Sequence, residues 1–365
     1  MKKGKTSRIL AVLLAVLMVG VFGLGMAACE KESTDADKGA TSDEDTGITR
    51  PDSFAGKDIL TEDTTIWYIT LSTAGVTNRM AKLAFDYVIK YYPNIKLVMQ
   101  DAQYNPEQQV TFLNEALTQG VDAVMIEAMD PGATQGPVEA LEAAGIPVIT
   151  INLNTFATHS LHIQGNDYYS GKEAADVLAA ATDGKGVAVS VDGPQQQAET
   201  NRMCVGFQEQ LAEKYPGIEF KENVYTDNWD AAVAQTNMAT LIQKYPDITM
   251  VYCASDDLAN GVVSAVKAAG KQDQIKVYGS MGMPDALKRI QEGTQFGTYF
   301  SDNYIEMSTA LYQALYFIQN GISMKTMNYP ATPLLDQPTT PVTKDNVDLI
   351  IETSHWKEAD PDAWK

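Results

Sequence analysis

The chain is 365 residues long and carries 27 basic against 47 acidic side chains, a formal charge of −20. That balance argues against nucleic acid, whose binding needs a basic footprint to displace counterions, and against direct attraction to anionic lipid. Three cysteines in so long a chain also exclude a disulfide scaffold.

The chain opens with Lys2, Lys3, Lys5 and Arg8, followed by an almost unbroken apolar run over 9–24 and then Met26-Ala27-Ala28-Cys29. Positive start, apolar middle and small residues form the order of a secretory signal. About 20 apolar residues could also span a bilayer, but a plain anchor has no need of Ala-Ala-Cys at its exit. A cysteine directly after the small residues resembles the lipobox of bacterial lipoproteins. That resemblance implies removal of 1–28, acylation of the Cys29 thiol, and residence on the extracytoplasmic face of the cell membrane. One acyl chain holds a protein only marginally, so stable anchoring implies more than one on Cys29. The four leading cations would leave with the signal, so the chain from Cys29 onward has 23 basic residues against 47 acidic. Residues 29–60 are rich in Asp, Glu, Ser, Thr, Gly and Lys and read as a solvated tether.

From Thr65 short apolar strands alternate with amphipathic helices. Residues 66–71 read as a strand of aromatic and β-branched side chains, and 78–91 as a helix stopped by Pro93. A strand at 95–99 follows. Asn105-Pro106-Glu107-Gln108 is then a strong helix start, with an Asn cap, Pro in the first turn and Gln three residues after the cap. That helix runs to Gln119 with Gly120 as its stop. A strand at 123–126, a helix at 137–144 and a strand at 147–151 complete a first set.

The grammar then restarts. Helices at 169–181, 201–215, 231–245, 258–269 and 284–292 lead to strands at 187–191, 218–225, 249–253, 275–278 and 296–300. Such alternation predicts an α/β protein with parallel sheets covered by helices on both faces. Lys-Tyr-Pro phrases recur where a helix meets a strand, at Lys214-Tyr215-Pro216 and Lys244-Tyr245-Pro246, with Lys90-Tyr91-Tyr92-Pro93 as a close variant. Two wound sheets of similar size predict a duplicated lobe. Ligands of such sheets bind beyond the C-terminal strand ends, so two facing lobes would form a cleft.

Catalytic constellations are missing. His159, His162 and His355 lack partners at metal spacing. Gly184-Lys185-Gly186 lacks the other glycine and the hydroxyl of a phosphate loop, and Gly279-Ser280-Met281-Gly282 misses nucleophile-elbow spacing by one residue. Asp256-Asp257 at a helix start reads first as a cap. The expectation is no enzyme, no cofactor and no metal. Cys204 and Cys253 read as isolated buried thiols, although an exported chain permits their pairing.

By this point the residues resemble a family. Between about Thr65 and Asp348, 101–109, 120–124 and 143–149 stand in register with Gly165-Asn166-Asp167-Tyr168, Asn228-Trp229-Asp230, Ser255-Asp256-Asp257-Leu258-Ala259 and 282–287. Together these phrases resemble the type I periplasmic substrate-binding proteins, the ribose- and galactose-binding group. The resemblance implies two lobes joined by a hinge of three chain crossings, 61–165 with 302–333 forming one lobe and 166–301 with 334–365 the other. It also implies a monomer that closes on a sugar, polyol or related neutral solute and delivers it to ABC permease subunits. A receptor presenting its ligand to a membrane sensor kinase or chemoreceptor would have the same lobes.

The resemblance implies further which residues meet the solute. Trp229 falls where the family sets an aromatic ring against the sugar. Gln103 and Asn105 follow the second strand. Asn152 and Asn154 stand where the family usually has Asp then Arg. Asn166-Asp167 and Asp302-Asn303 mark the first two crossings. The loop after the first strand, usually Asn with two aromatics, offers Thr73, Thr77 and Asn78, and Ala74 with them. Ser255 replaces an Asn before Asp256, Met281 replaces an Asp, and Asn201 and Arg202 straddle the position of an arginine. These departures count against a simple ribose or glucose. If the Cys29 reading is right, Cys29→Ser should move the exported protein from the membrane fraction to the soluble fraction. An unchanged membrane fraction on immunoblot would refute it.

Overall fold

The structure is a computed structural model that describes residues 56–197, 202–327 and 329–364. A central strand of a parallel sheet is covered on both faces, so its run of apolar side chains must serve two cores. Strand β1 (Thr64–Thr70) does this by alternation: Ile66 and Tyr68 enter one core, Trp67 and Ile69 the other. Its neighbours are β2 (Ile95–Asp101) on one side and β3 (Ala123–Ile126), β4 (Val148–Ile151), β5 (Leu161–Gly165) and β11 (Leu334–Gln337) on the other, all parallel. Helices α1 (Val76–Ile89) and α9 (Asn303–Asn320) cover one face, α2 (Pro106–Gln119) and α3 (Pro131–Ala144) the other.

The second lobe repeats this order. Strand β6 (Gly186–Asp192) lies between β7 (Ile218–Tyr225) and β8 (Met250–Cys253), followed by β9 (Lys276–Met281), β10 (Gly297–Phe300) and an antiparallel edge strand β12 (Thr340–Thr343). Val187, Val189 and Val191 face α6 (Ala231–Lys244) and α7 (Asp256–Ala268). Ala188 faces α4 (Asp167–Ala180) and α5 (Met203–Lys214). Each lobe is thus a wound sheet of six strands, the architecture of the type I periplasmic binding fold.

The chain passes between the sheets at Asn166, at Ser301-Asp302 and at Pro338-Thr339. The last crossing falls later than the 333–334 boundary expected from sequence. The reason is that Leu334–Gln337 pairs in register with His162–Gly165 and extends the first sheet before the chain leaves it. The start of the packed body is also earlier than 61. Ile59 is buried in the first core, and Lys57 donates its amide to Ile318 O at 3.0 Å and its Nζ to Asp122 at 3.0 Å. Residues 1–55, including Cys29 and most of the expected tether, lie outside the described residues.

Two other local readings change. Helix α3 starts at Pro131 rather than 137, because the Asp130 carboxylate caps the amides of Gly132 and Ala133, both at 2.9 Å, and Pro131 occupies the first turn. Pro137 is carried inside the helix. Beyond β12, α10 (Val347–Thr353) and α11 (Trp356–Ala359) bring Val347, Ile350, Ile351 and Trp356 against Leu287 and Ile290 of α8 (Pro284–Glu292) and Met80 of α1. The Trp356 indole donates to Gly282 O at 3.0 Å, and Asp360 pairs with Arg79. This segment therefore packs on both lobes at once. Cys204 and Cys253 are free buried thiols.

Helices α4 and α5 approach through two glycines. A Cβ on Gly171 would lie 1.9 Å from Met203 O, and one on Gly206 2.0 Å from Tyr168 O. Backbone cannot yield as a side chain can, so Gly171→Ala should overpack this contact and cost about 1–3 kcal/mol. Urea denaturation would measure it, and an unchanged midpoint would show that the helices can separate freely.

Candidate functional site

Parallel strands deliver all their carboxyl ends to one edge, and the two sheets turn those edges toward each other. Between them lies a cavity of about 360 Å³. Leu71, Tyr104, Glu127, Asn152 and Leu153 follow strands of the first sheet; Trp229, Ala254, Ser255, Met281 and Met283 follow or end strands of the second. Asp167 and Tyr299 line it from beside the first two crossings. A larger hollow of about 680 Å³ lies at the opposite, N-terminal strand ends, bordered by Lys57, Asp122, Gly145 and Lys325, where sheets of this kind do not bind ligands.

The rim is built from unusual backbone. Among the described residues, Gln103, Tyr104, Asn152, Asn228, Trp229 and Met281 have φ between 51° and 97°, and all lie at strand ends facing the cleft. Non-glycine residues hold such angles at a cost of about 1–3 kcal/mol each. The gain is orientation of side chains toward the cavity. The Trp229 ring packs so tightly on Gly193 that a Cβ there would lie 2.4 Å from it. Its indole N–H donates to Gln197 Oε1 at 3.0 Å, and Gln197 Nε2 donates to Met129 O of the other lobe at 2.6 Å. This relay joins the lobes across the cleft.

The floor is acidic. Glu127 Oε2 accepts from Tyr68 at 2.8 Å and Thr70 at 3.0 Å, and burial raises its carboxyl despite them. Asp167, 5 % exposed, accepts only a long bond of 3.3 Å from Tyr299. Burial, then the charge of Glu306, pushes it well above the usual carboxylate range. Asp256 accepts from Met283 N, Thr298 and Gln295, yet burial still pushes it up to about 7. The Asp257 carboxylate is exposed at the cavity and makes no hydrogen bond with the described residues. The Tyr104 phenol is raised by burial and then by the charges of Asp257 and Glu127, which places it between carboxylates of the two lobes.

Of the residues expected from sequence, Thr77, Asn152, Trp229, Ser255, Asp256 and Met281 line the cavity. The others have different places. Thr73 donates to Asp101 at 2.6 Å, Asn78 donates to Ser72 O, and Gln103 is exposed beside the lining Tyr104. Asn105 caps α2, accepting from the amides of Glu107 and Gln108. Asn154 accepts from Thr150 and Thr155 N, while its neighbour Leu153 reaches the cavity. Arg202 lies over the Tyr168 ring at 5.1 Å and leaves the lining position to Met203. Asp302 caps α9, and Asn303 donates to Glu306 at 3.1 Å behind the floor. Asn201 lies outside the described residues. Sequence reasoning missed Tyr104, Glu127, Asp257, Met283 and Tyr299. Glu127, directly after β3, was open to the strand-end rule; Tyr299, inside β10, was not.

His159 and His162 serve the core. Thr150 Oγ1 lies 2.7 Å from a ring nitrogen of each, and burial lowers His159 to about 4. Among the described residues no cluster of ligating side chains suits a metal ion, and no helix is long and apolar enough to cross a membrane.

Behind the floor, Glu306 is fully buried; Oε2 accepts from Asn152 and Asn303, Oε1 has no partner, and burial lifts its carboxyl from 4.5 to about 7. A carboxyl raised on folding gives stability that is full below its unfolded pKa and lost as pH rises through the folded value. Glu306→Gln lacks that loss. Its melting temperature relative to the parent should therefore climb between pH 5 and pH 8. Parallel melting curves for the two proteins would show that this carboxyl is not buried and raised.

Residues 61–322 match the family model described as the periplasmic binding protein domain. The chain is 29 % identical over 262 residues to the xylitol-binding protein of Mycolicibacterium smegmatis, covering 71 % of this chain and 72 % of that protein. It is 30 % identical to the ribose import binding protein of Bacillus subtilis, covering 54 % of this chain and 63 % of that one, just under two thirds of its length. The crystal structure of the Caulobacter myo-inositol binding protein, bound to myo-inositol, has the same fold at a TM-score of 0.71 and 22 % identity, covering 82 % of this chain and 98 % of that one. With two wound lobes closing over one cavity, this chain belongs to the periplasmic binding protein domain family, whose members bind solutes rather than transform them.

Proposed function

We propose that this chain is the extracytoplasmic, lipid-anchored solute-binding subunit of an ABC importer, and that it closes on a solute of the sugar and polyol class. The observation that carries this reading is the cavity walled by both lobes. A solute touching both walls gains contacts only when the lobes are together, so it draws the open–closed equilibrium toward closure. The volume of about 360 Å³ lies at the small end of the roughly 300–1,000 Å³ range of ligand sites. The xylitol-, ribose- and myo-inositol-binding proteins support the solute class by similarity. Export signal, tether and Cys29 supply the attachment that a chain so acidic cannot find in anionic lipid.

Recognition rests on a few positioned groups. The indole face of Trp229 offers the apolar C–H side of a ring sugar a surface, and Asn152, Thr77 and Ser255 present hydrogen-bonding groups around it. Each bond contributes about 0.5–1.5 kcal/mol net, so several must act together.

A thermal-shift screen of sugars, polyols and their amino derivatives should yield a compound that raises the melting temperature, since binding to the folded state alone stabilises it. Trp229→Ala should then weaken that compound by about 2 kcal/mol, roughly thirtyfold in Kd. Calorimetry showing full affinity without the indole would remove the cleft from consideration.

A further inference from the structure

The cavity is lopsided in charge. Glu127, Asp167, Asp256 and Asp257 line it, and among the described residues no Lys, Arg or His does. Of the nearby cations, Arg289 borders Asp256 and Asp257 and its charge opposes their rise on burial, but none is paired with Asp167 or Glu127 among the described residues. Arg289 donates to Gln295, Asn260 and the Asp256 carbonyl, Arg79 is paired with Asp360, and Arg202 lies on Tyr168. Asp256 is fully satisfied by Met283 N, Thr298 and Gln295. Asp167 is not. It is 5 % exposed, opens on the cavity, and its single long bond from Tyr299 reaches Oδ1, so Oδ2 has no donor among the described residues.

We propose that the solute carries a protonated amine, so that this cleft takes an amino-sugar or amino-polyol cation whose ammonium group meets Asp167. This rests on the solute-binding reading above and narrows its ligand class. Ionised carboxylates only accept hydrogen bonds, whereas an ammonium brings three donors and a charge. Burying a carboxylate without a partner is expensive, and a paired, hydrogen-bonded cation offsets that cost. A neutral polyol would leave Asp167 and Glu127 without a counter-charge, whereas the charge of Arg289 already reaches Asp256 and Asp257. Tyr104 and Trp229 add ring faces, which attract a nearby cation. The raised carboxyls of Asp167 and Glu127 fit the same picture, since they describe a site lacking its positive partner.

Calorimetric titration of the purified protein with matched probes at neutral pH tests this: D-glucose, D-glucosamine and N-acetyl-D-glucosamine, and myo-inositol with an aminodeoxy-inositol. In at least one set the free amine should bind about tenfold or more tighter than its hydroxyl counterpart, and N-acetylation should abolish the gain. Asp167→Asn should erase the advantage, weakening the amine at least about tenfold more than its hydroxyl counterpart. Asp257→Asn, at an exposed carboxylate that accepts no hydrogen bond from the described residues, is the second variant, and it too should weaken the amine more than its hydroxyl counterpart. Tighter binding of the neutral member, or equal losses for both members in these variants, overturns the inference while the solute-binding reading stands. Silence from every probe overturns both.

Discussion

A parallel sheet ends all its strands at one edge, and every functional feature of this protein depends on that. Eleven parallel strands in two sheets bring their carboxyl ends together across one gap, with only the edge strand β12 running the other way. Backbone there has left the ladder and no longer needs to pair in register. It can hold positive φ at Tyr104, Asn152, Trp229 and Met281 and aim their side chains into the gap. The helices that follow the strands add capped N-termini to the same edge, as at Ser255 and Asp256.

The second constraint is the crossing region, where few strands of chain must carry both mobility and order. Its polar groups are buried and partly satisfied. Glu306 accepts from Asn152, which lines the cavity, and from Asn303, which follows a crossing; Asp167 accepts from Tyr299 beside the same floor. A change in the cleft is thus one hydrogen bond away from the hinge. Closure also engages the outer surface, because the C-terminal segment packs Trp356 between Met80 of one lobe and Leu287 of the other. The relay Trp229–Gln197–Met129 holds the opposite side of the gap. Solute binding then works against contacts that the lobes already make with each other.

Legibility in the sequence followed the range of the interaction. Helix α2 could be read with its Asn105 cap, Pro106 and Gly120 stop because all of these act within a turn of the chain. Asn105 was assigned to the solute by family position, and the local cap took it instead. Helix α3 was misplaced because Pro137 looked like a start, whereas Asp130 and Pro131 supply a better one. Strands β11 and β12 and the C-terminal helices were not legible, since β11 is an exposed edge and Trp356 is buried only against two distant lobes. The cavity residues divide in the same way. Trp229 and Asn152 could be named from motif position, but Glu127, Asp257 and Tyr299 join them only because separate strands end side by side.

The amino-acid order by itself determined the alternation of strands and helices and the duplicated lobe. These follow from periodicity, capping and composition, which are properties of neighbouring residues. Tertiary structure alone decided which strand ends share a wall, where the last crossing falls, and that four carboxyls gather in the cleft lining. Charge in a cavity belongs to residues far apart along the chain, and only the packing of the sheets sums it.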